Sequence, residues 1–158
     1  MKSSKKLIAA AVAGIAMFAS SAPQAADQHT INVNATVTGT CKFIGAASGG
    51  TSNINMTLDP TLTTTVTGSS TIVYRCTNGT APIFTFTSSA GAGTGTGTLS
   101  NGGDNIAYTY TSTNDGAGAG MGTGNDKNVS VTVSVDQTNA ANVPAGLYTD
   151  TIDGDLSN

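Results

Sequence analysis

Beyond residue 26, apolar and polar positions alternate with period two, and no segment places apolar residues at i, i+3, i+4 and i+7. The longest alternating run goes from about Thr30 to Phe43. Ile31, Val33, Ala35, Val37, Cys41 and Phe43 share one face, and Asn32, Asn34, Thr36 and Thr38 the other. Gly39 interrupts the run and predicts a kink or bulge. A short strand follows at Ile54, Met56 and Leu58 and stops at Asp59-Pro60, with Leu62 to Val66 a weaker one. Thr71 to Cys76 and Ile83 to Thr87 are strands on either side of the Asn78-Gly79 turn. Ser88 to Thr98 is Gly/Ala/Thr-rich and reads as a loop or strand-poor hairpin, and Asn101 to Asp104 as a turn. Ile106 to Thr111 is a strand, Asn114 to Asp126 a second Gly-rich loop, and Asn128 to Asp136 a strand with Val129, Val131, Val133 and Val135 in strict alternation. Val143 to Gly146 turns around Pro144. The last strand is Leu147 to Leu156, with Tyr148, Ile152 and Leu156 on one face. Seven or more short strands without a helix predict an all-β, immunoglobulin-like sandwich, with a closed barrel as the alternative.

Composition supports the absence of helix. Glu is missing, Leu is rare, and Thr and Val, stiff at χ1, suit a pleated sheet. The first 26 residues have a different character. Lys2, Lys5 and Lys6 precede an apolar run, Leu7 to Phe18, and small residues follow at Ser20, Ser21, Ala22, Ala25 and Ala26. The run is too short for a bilayer, which needs about 20 residues, and the pattern is that of a signal peptide cleaved near Ala26. What remains, about 130 residues, is the size of one domain.

Export changes the reading of the cysteines. A chain in an oxidising compartment with only Cys41 and Cys76 is expected to join them, and such a bridge is worth roughly 4 kcal/mol in the chain-entropy model. Two cysteines and one His, with no Cys-x-x-Cys, give no metal site, and no cofactor is expected. Beyond residue 26, only Lys42, Arg75 and Lys127 are basic against nine Asp, so neither nucleic acid nor an anionic membrane is an expected partner.

Little in the chain points to catalysis. His29 lies two residues before the first strand, with no scaffold to orient it as a base, and no catalytic residue or small-molecule substrate is expected. Gly102-Gly103-Asp104-Asn105 resembles a single calcium-binding nonapeptide unit, but such units work stacked, so a hairpin turn is the reading. The Gly-Ala-Gly runs near Gly91 and Gly118 do not join a strand to a helix and are not phosphate loops. Asn34, Asn55, Asn78 and Asn128 begin Asn-x-Ser/Thr triplets of the number chance gives in so Asn- and Thr-rich a chain. With no Trp and four Tyr, mostly core-facing, an aromatic sugar platform is hard to find, and a minor adhesin would need a further domain.

The first alternating run is the informative one. If Cys41 belongs to the domain and is pinned to Cys76, the residues before it are free to act as an arm with Ile31, Val33, Ala35 and Val37 on its apolar face. The division expected is signal peptide 1–26, arm 27–40 and domain 41–158. The alternative is an ordinary first strand within its own sheet, as in a self-complete coat or surface protein.

Several segments resemble the spore coat protein U family, which includes archaic, Csu-type chaperone–usher pilins. They are Ile31-Asn32-Val33-Asn34-Ala35-Thr36-Val37, Thr38-Gly39-Thr40-Cys41, Asn55-Met56-Thr57-Leu58, Thr71 to Thr80, Leu99 to Tyr110, and Gly146-Leu147-Tyr148-Thr149-Asp150-Thr151-Ile152. The resemblance implies a sandwich lacking its last strand. A periplasmic chaperone fills the gap first, and at an outer-membrane usher the arm of the neighbouring pilin subunit replaces it. It assigns Ile31, Val33, Ala35 and Val37 to the donor strand and Tyr148, Ile152 and Leu156 to the acceptor groove. An extracellular pilus serving adhesion and biofilm formation is the implied destination. The chain departs from the family at its end, Asp153-Gly154-Asp155-Leu156-Ser157-Asn158. Gly154 stands where a large apolar residue is expected, and no aromatic follows.

Overall fold

The computed structural model describes residues 29–45, 48–90 and 95–158, so the predicted signal peptide lies outside the described residues. The chain divides into two units, Met1–Ala35 and Thr36–Asn158. In the first unit, residues 29–35 form no strand, and Ile31 and Val33 are 77% and 87% exposed.

The second unit contains seven strands among the described residues. These are β1 Cys41–Phe43, β2 Thr65–Cys76, β3 Ile83–Ser88, β4 Thr96–Asn101, β5 Asp104–Asn114, β6 Lys127–Asp136 and β7 Ile152–Ser157. Five form an antiparallel sheet in the order β1-β2-β6-β5-β4, and β3 and β7 pair antiparallel in a second sheet. The architecture is all-β and immunoglobulin-like. The valines of β6 decide its register. Val129, Val131, Val133 and Val135 are all buried, and Tyr74 from β2, Ile106, Tyr108 and Tyr110 from β5 and Phe86 from β3 complete the core around them. Phe84 meets Tyr74 edge-on at 4.9 Å, which locks the second sheet onto the first.

Cys41 and Cys76 face each other in the β1–β2 ladder and form a disulfide, with Cα atoms 4.1 Å apart. The second Gly-rich loop covers this end of the sandwich. The Tyr74 hydroxyl donates to the Gly116 carbonyl at 2.6 Å, and the amides of Gly79 and Gly120 donate to the carbonyls of Gly118 and Cys76.

Four boundaries differ from the sequence expectation. The first run is a strand only from Cys41. Leu62 to Val66 and Thr71 to Cys76 are parts of one strand, β2, because the intervening Gly68, Ser69 and Ser70 keep the alternation with a small residue wherever the strand faces inward. The Ser88 to Thr98 stretch gives its last residues to β4, whose inward Gly97 lies under the Tyr108 ring. The final strand begins at Ile152, and upstream of it only Thr149 pairs, with Ser100. A short 3-10 turn, Gln137–Ala140, follows β6, with the Asp136 side chain accepting from the Thr138 amide.

Candidate functional site

The second unit has an open cleft of about 980 Å3. Its floor is apolar, built from Ile72, Phe86, Ile106, Tyr108, Val131 and Val133. Two continuous backbone runs, residues 49–58 and 143–154, border it.

The first border was expected to be a strand at Ile54, Met56 and Leu58. The structure keeps the alternation, with these three side chains half-buried and their neighbours exposed, but gives the backbone no ladder. Among the described residues, none from 49 to 58 makes a main-chain hydrogen bond. Its side chains hold it in place. A Cβ at Gly68 would meet the Ile54 side chain at 2.5 Å and that of Met56 at 3.1 Å, so the bare glycine of β2 is the seat of this border.

The second border runs into β7, which pairs with β3 along one edge and, among the described residues, has no ladder on its other edge. The glycine that departs from the family pattern has a packing reason. Gly154 lies opposite Phe86, and a Cβ there would meet the ring at 2.7 Å. Phe86 supplies from β3 the apolar bulk that position 154 lacks.

Tyr148 and Ile152 line the cleft, half-buried. Leu156 is not among the lining residues. It pairs with Phe84 in the β3–β7 ladder and packs on the core. Ile31, Val33, Ala35 and Val37 are all exposed, Val37 at 82%. His29 is also exposed, and no group of three or more metal-ligating side chains occurs among the described residues.

Sequence reasoning missed a polar cluster at the second border. The Asp150 carboxylate accepts from the hydroxyls of Ser88, Ser89 (2.6 Å) and Tyr108 (2.7 Å), and from the Thr151 amide at 2.7 Å. The Gly146 to Ile152 segment that carries the family resemblance contains Asp150, which was the available signal. Burial pushes the Asp150 carboxyl up, but the donated hydrogen bonds outweigh it and hold the group below its ordinary value of 3.8. Burial and the bond to Asp150 push the Tyr108 phenol well above its ordinary value. A carboxyl lowered on folding stabilises the fold above its unfolded pKa and loses that contribution as pH falls through its folded pKa. Asp150→Asn should therefore melt below the parent at neutral pH, and the gap should begin to narrow below about pH 4 and close as pH falls through the lowered folded pKa. Melting curves from pH 7 to pH 2 check this, and a gap that persists in acid would contradict it.

A family model, the Spore Coat Protein U domain, matches residues 27–154. The chain belongs to the Spore Coat Protein U family. No curated protein and no solved structure matches it. Spore Coat Protein U domains occur in coat and pilus subunits and form a structural family rather than an enzyme family, so the coarse role of this chain is structural, at the cell surface. Among the described residues, no helix is long and apolar enough to cross a membrane.

Proposed function

We propose that this chain is a pilus subunit of the chaperone–usher pathway that polymerises by lending residues 27–40 to the cleft of a neighbouring copy. The observation that carries the reading is the cleft itself: an apolar floor between two backbone runs, of which residues 49–58 make no main-chain hydrogen bond among the described residues and residues 143–151 make few. Unpaired backbone beside buried apolar surface suits strand addition, in which main-chain bonds bind and alternate side chains fill the floor. The same chain carries a segment of that chemistry, with Ile31, Val33, Ala35 and Val37 spaced two apart and exposed.

Burying Ile31, Val33 and Val37 gains roughly 2 kcal/mol each, against the cost of ordering the arm. On this reading a periplasmic chaperone fills the cleft first, an outer-membrane usher directs the exchange, and the extracellular fibre supports adhesion and biofilm formation. The test is Val33→Asp, which would bury an unpaired charge in the neighbour's cleft. Export and the Cys41–Cys76 disulfide should be unchanged while fibres disappear from electron micrographs. Normal fibres from this variant would overturn the reading.

A further inference from the structure

We infer that Gln137 and Asp150 are positioning residues that hold the two borders of the cleft in place before a donor strand arrives, an inference that rests on the strand-accepting role proposed above. The strands of the sandwich are held by ladders, but these borders largely are not. Residues 49–58 make no main-chain hydrogen bond among the described residues, and between 143 and 151 the main-chain bonds are those of Val143 to Ala140, of Thr149 with Ser100 and of the Thr151 carbonyl from the Ser89 amide. Besides the packing of Ile54 and Met56 on Gly68 and these few main-chain bonds, each border has one polar side-chain tie, Gln137 for the first and Asp150 for the second.

Gln137 follows directly on β6, whose Val131 and Val133 form the floor. It is 3% exposed. Its Oε1 accepts from the Asp59 amide at 2.7 Å, at the end of the first border, and its Nε2 donates to Thr64 Oγ1 at 2.9 Å. The Gln137 amide also donates to the Thr64 carbonyl, so the 59–64 turn is clamped to the end of β6. Asp150 does the same for the second border, through Ser88 and Ser89 at the end of β3 and through Tyr108 on the floor. Ser88 and Gln137 are the buried polar residues among the described residues, and both serve these clamps.

A fully bonded polar network fixes one geometry, whereas apolar contacts at the same places would let the border slide. A border already extended spares an incoming strand the ordering that would otherwise oppose binding. Removing a clamp should therefore weaken and slow strand capture while leaving the laddered sandwich folded.

The acceptor for the test is the whole chain carrying Val33→Asp, so that its own arm does not compete, and the probe is a fluorescent peptide of residues 27–40. Gln137→Met and Asp150→Asn should each weaken peptide binding about tenfold, chiefly through slower association. Near-UV circular dichroism and the disulfide should be unchanged. Tyr74→Phe removes the bond to Gly116 in the loop that covers the disulfide end, away from the cleft lining. It should lower the melting temperature and leave peptide affinity as it was. If either clamp variant does not fold, Thr64→Val and Ser89→Ala, which remove one bond each, should weaken binding about threefold. Clamp variants that bind with parental kinetics, or a Tyr74→Phe chain that binds as weakly as they do, would overturn the inference alone. A parental acceptor that ignores the peptide would overturn the strand-accepting reading and the inference with it.

Discussion

A chain lacking Asp27 to Thr38 should melt tens of degrees higher when a synthetic peptide of that segment is added. The truncated domain retains the disulfide and both sheets but leaves the floor of Phe86, Val131 and Val133 facing an open cleft. A ligand that binds only the folded state stabilises it by mass action, and the gain grows with the ratio of its concentration to its dissociation constant. This peptide would also cover apolar surface and give the two borders main-chain partners, so its affinity should be high and its release slow. A peptide carrying Val33→Asp should give no rise, because its central side chain would bring a charge onto the valine floor. A truncated chain that melts high by itself and ignores the peptide would mark a self-complete sandwich, and the surface-protein reading would replace the pilin.

The parts of this fold legible in the sequence are those in which side-chain pattern and backbone pairing agree. Val129, Val131, Val133 and Val135 alternate strictly and are buried, and the first three lie in a ladder on both sides, so period two predicts both burial and strand. At Ile54, Met56 and Leu58 the two properties separate. The alternation correctly reports which side chains turn inward, but periodicity carries no information about whether the backbone has a partner. Hence an expected strand became an unpaired cleft border. The same separation shifts the start of the last strand from Leu147 to Ile152.

Small inward residues mislead in the other direction. Gly68, Ser69 and Ser70 look like a break, yet Gly68 is bare because Ile54 and Met56 lie over it, and β2 runs straight through. Gly154 departs from the family pattern because Phe86 occupies the space a side chain there would need. The Asp150 and Gln137 clamps left no periodic trace. A polar side chain that bonds to residues 62 or 78 positions away is set by tertiary placement, which spacing along the chain does not encode.

Mixing two variants that are each unable to polymerise should give one-to-one pairs and nothing longer. Ser70 is a half-buried residue of β2 that lines the cleft opposite Val131. Ser70→Trp sets a large ring on the floor without removing any core side chain, so the cleft should reject a strand while the chain's own arm stays intact. Val33→Asp has the complementary lesion, a spoiled arm and an open cleft. When the two are mixed, the Ser70→Trp arm can enter the Val33→Asp cleft, but the arm of the second chain cannot continue and the cleft of the first cannot accept. A head-to-tail contact uses different surfaces on its two sides, which is why it extends into a filament in the parent and why two opposite lesions stop it after a single joint. Native mass spectrometry of the mixture should show heterodimer, with each variant alone monomeric. An isologous swap is told apart by the parent chain, which would then stop at a closed dimer with both arms and both clefts filled instead of extending. Long fibres from the mixture would place the polymer contact outside the arm and the cleft altogether.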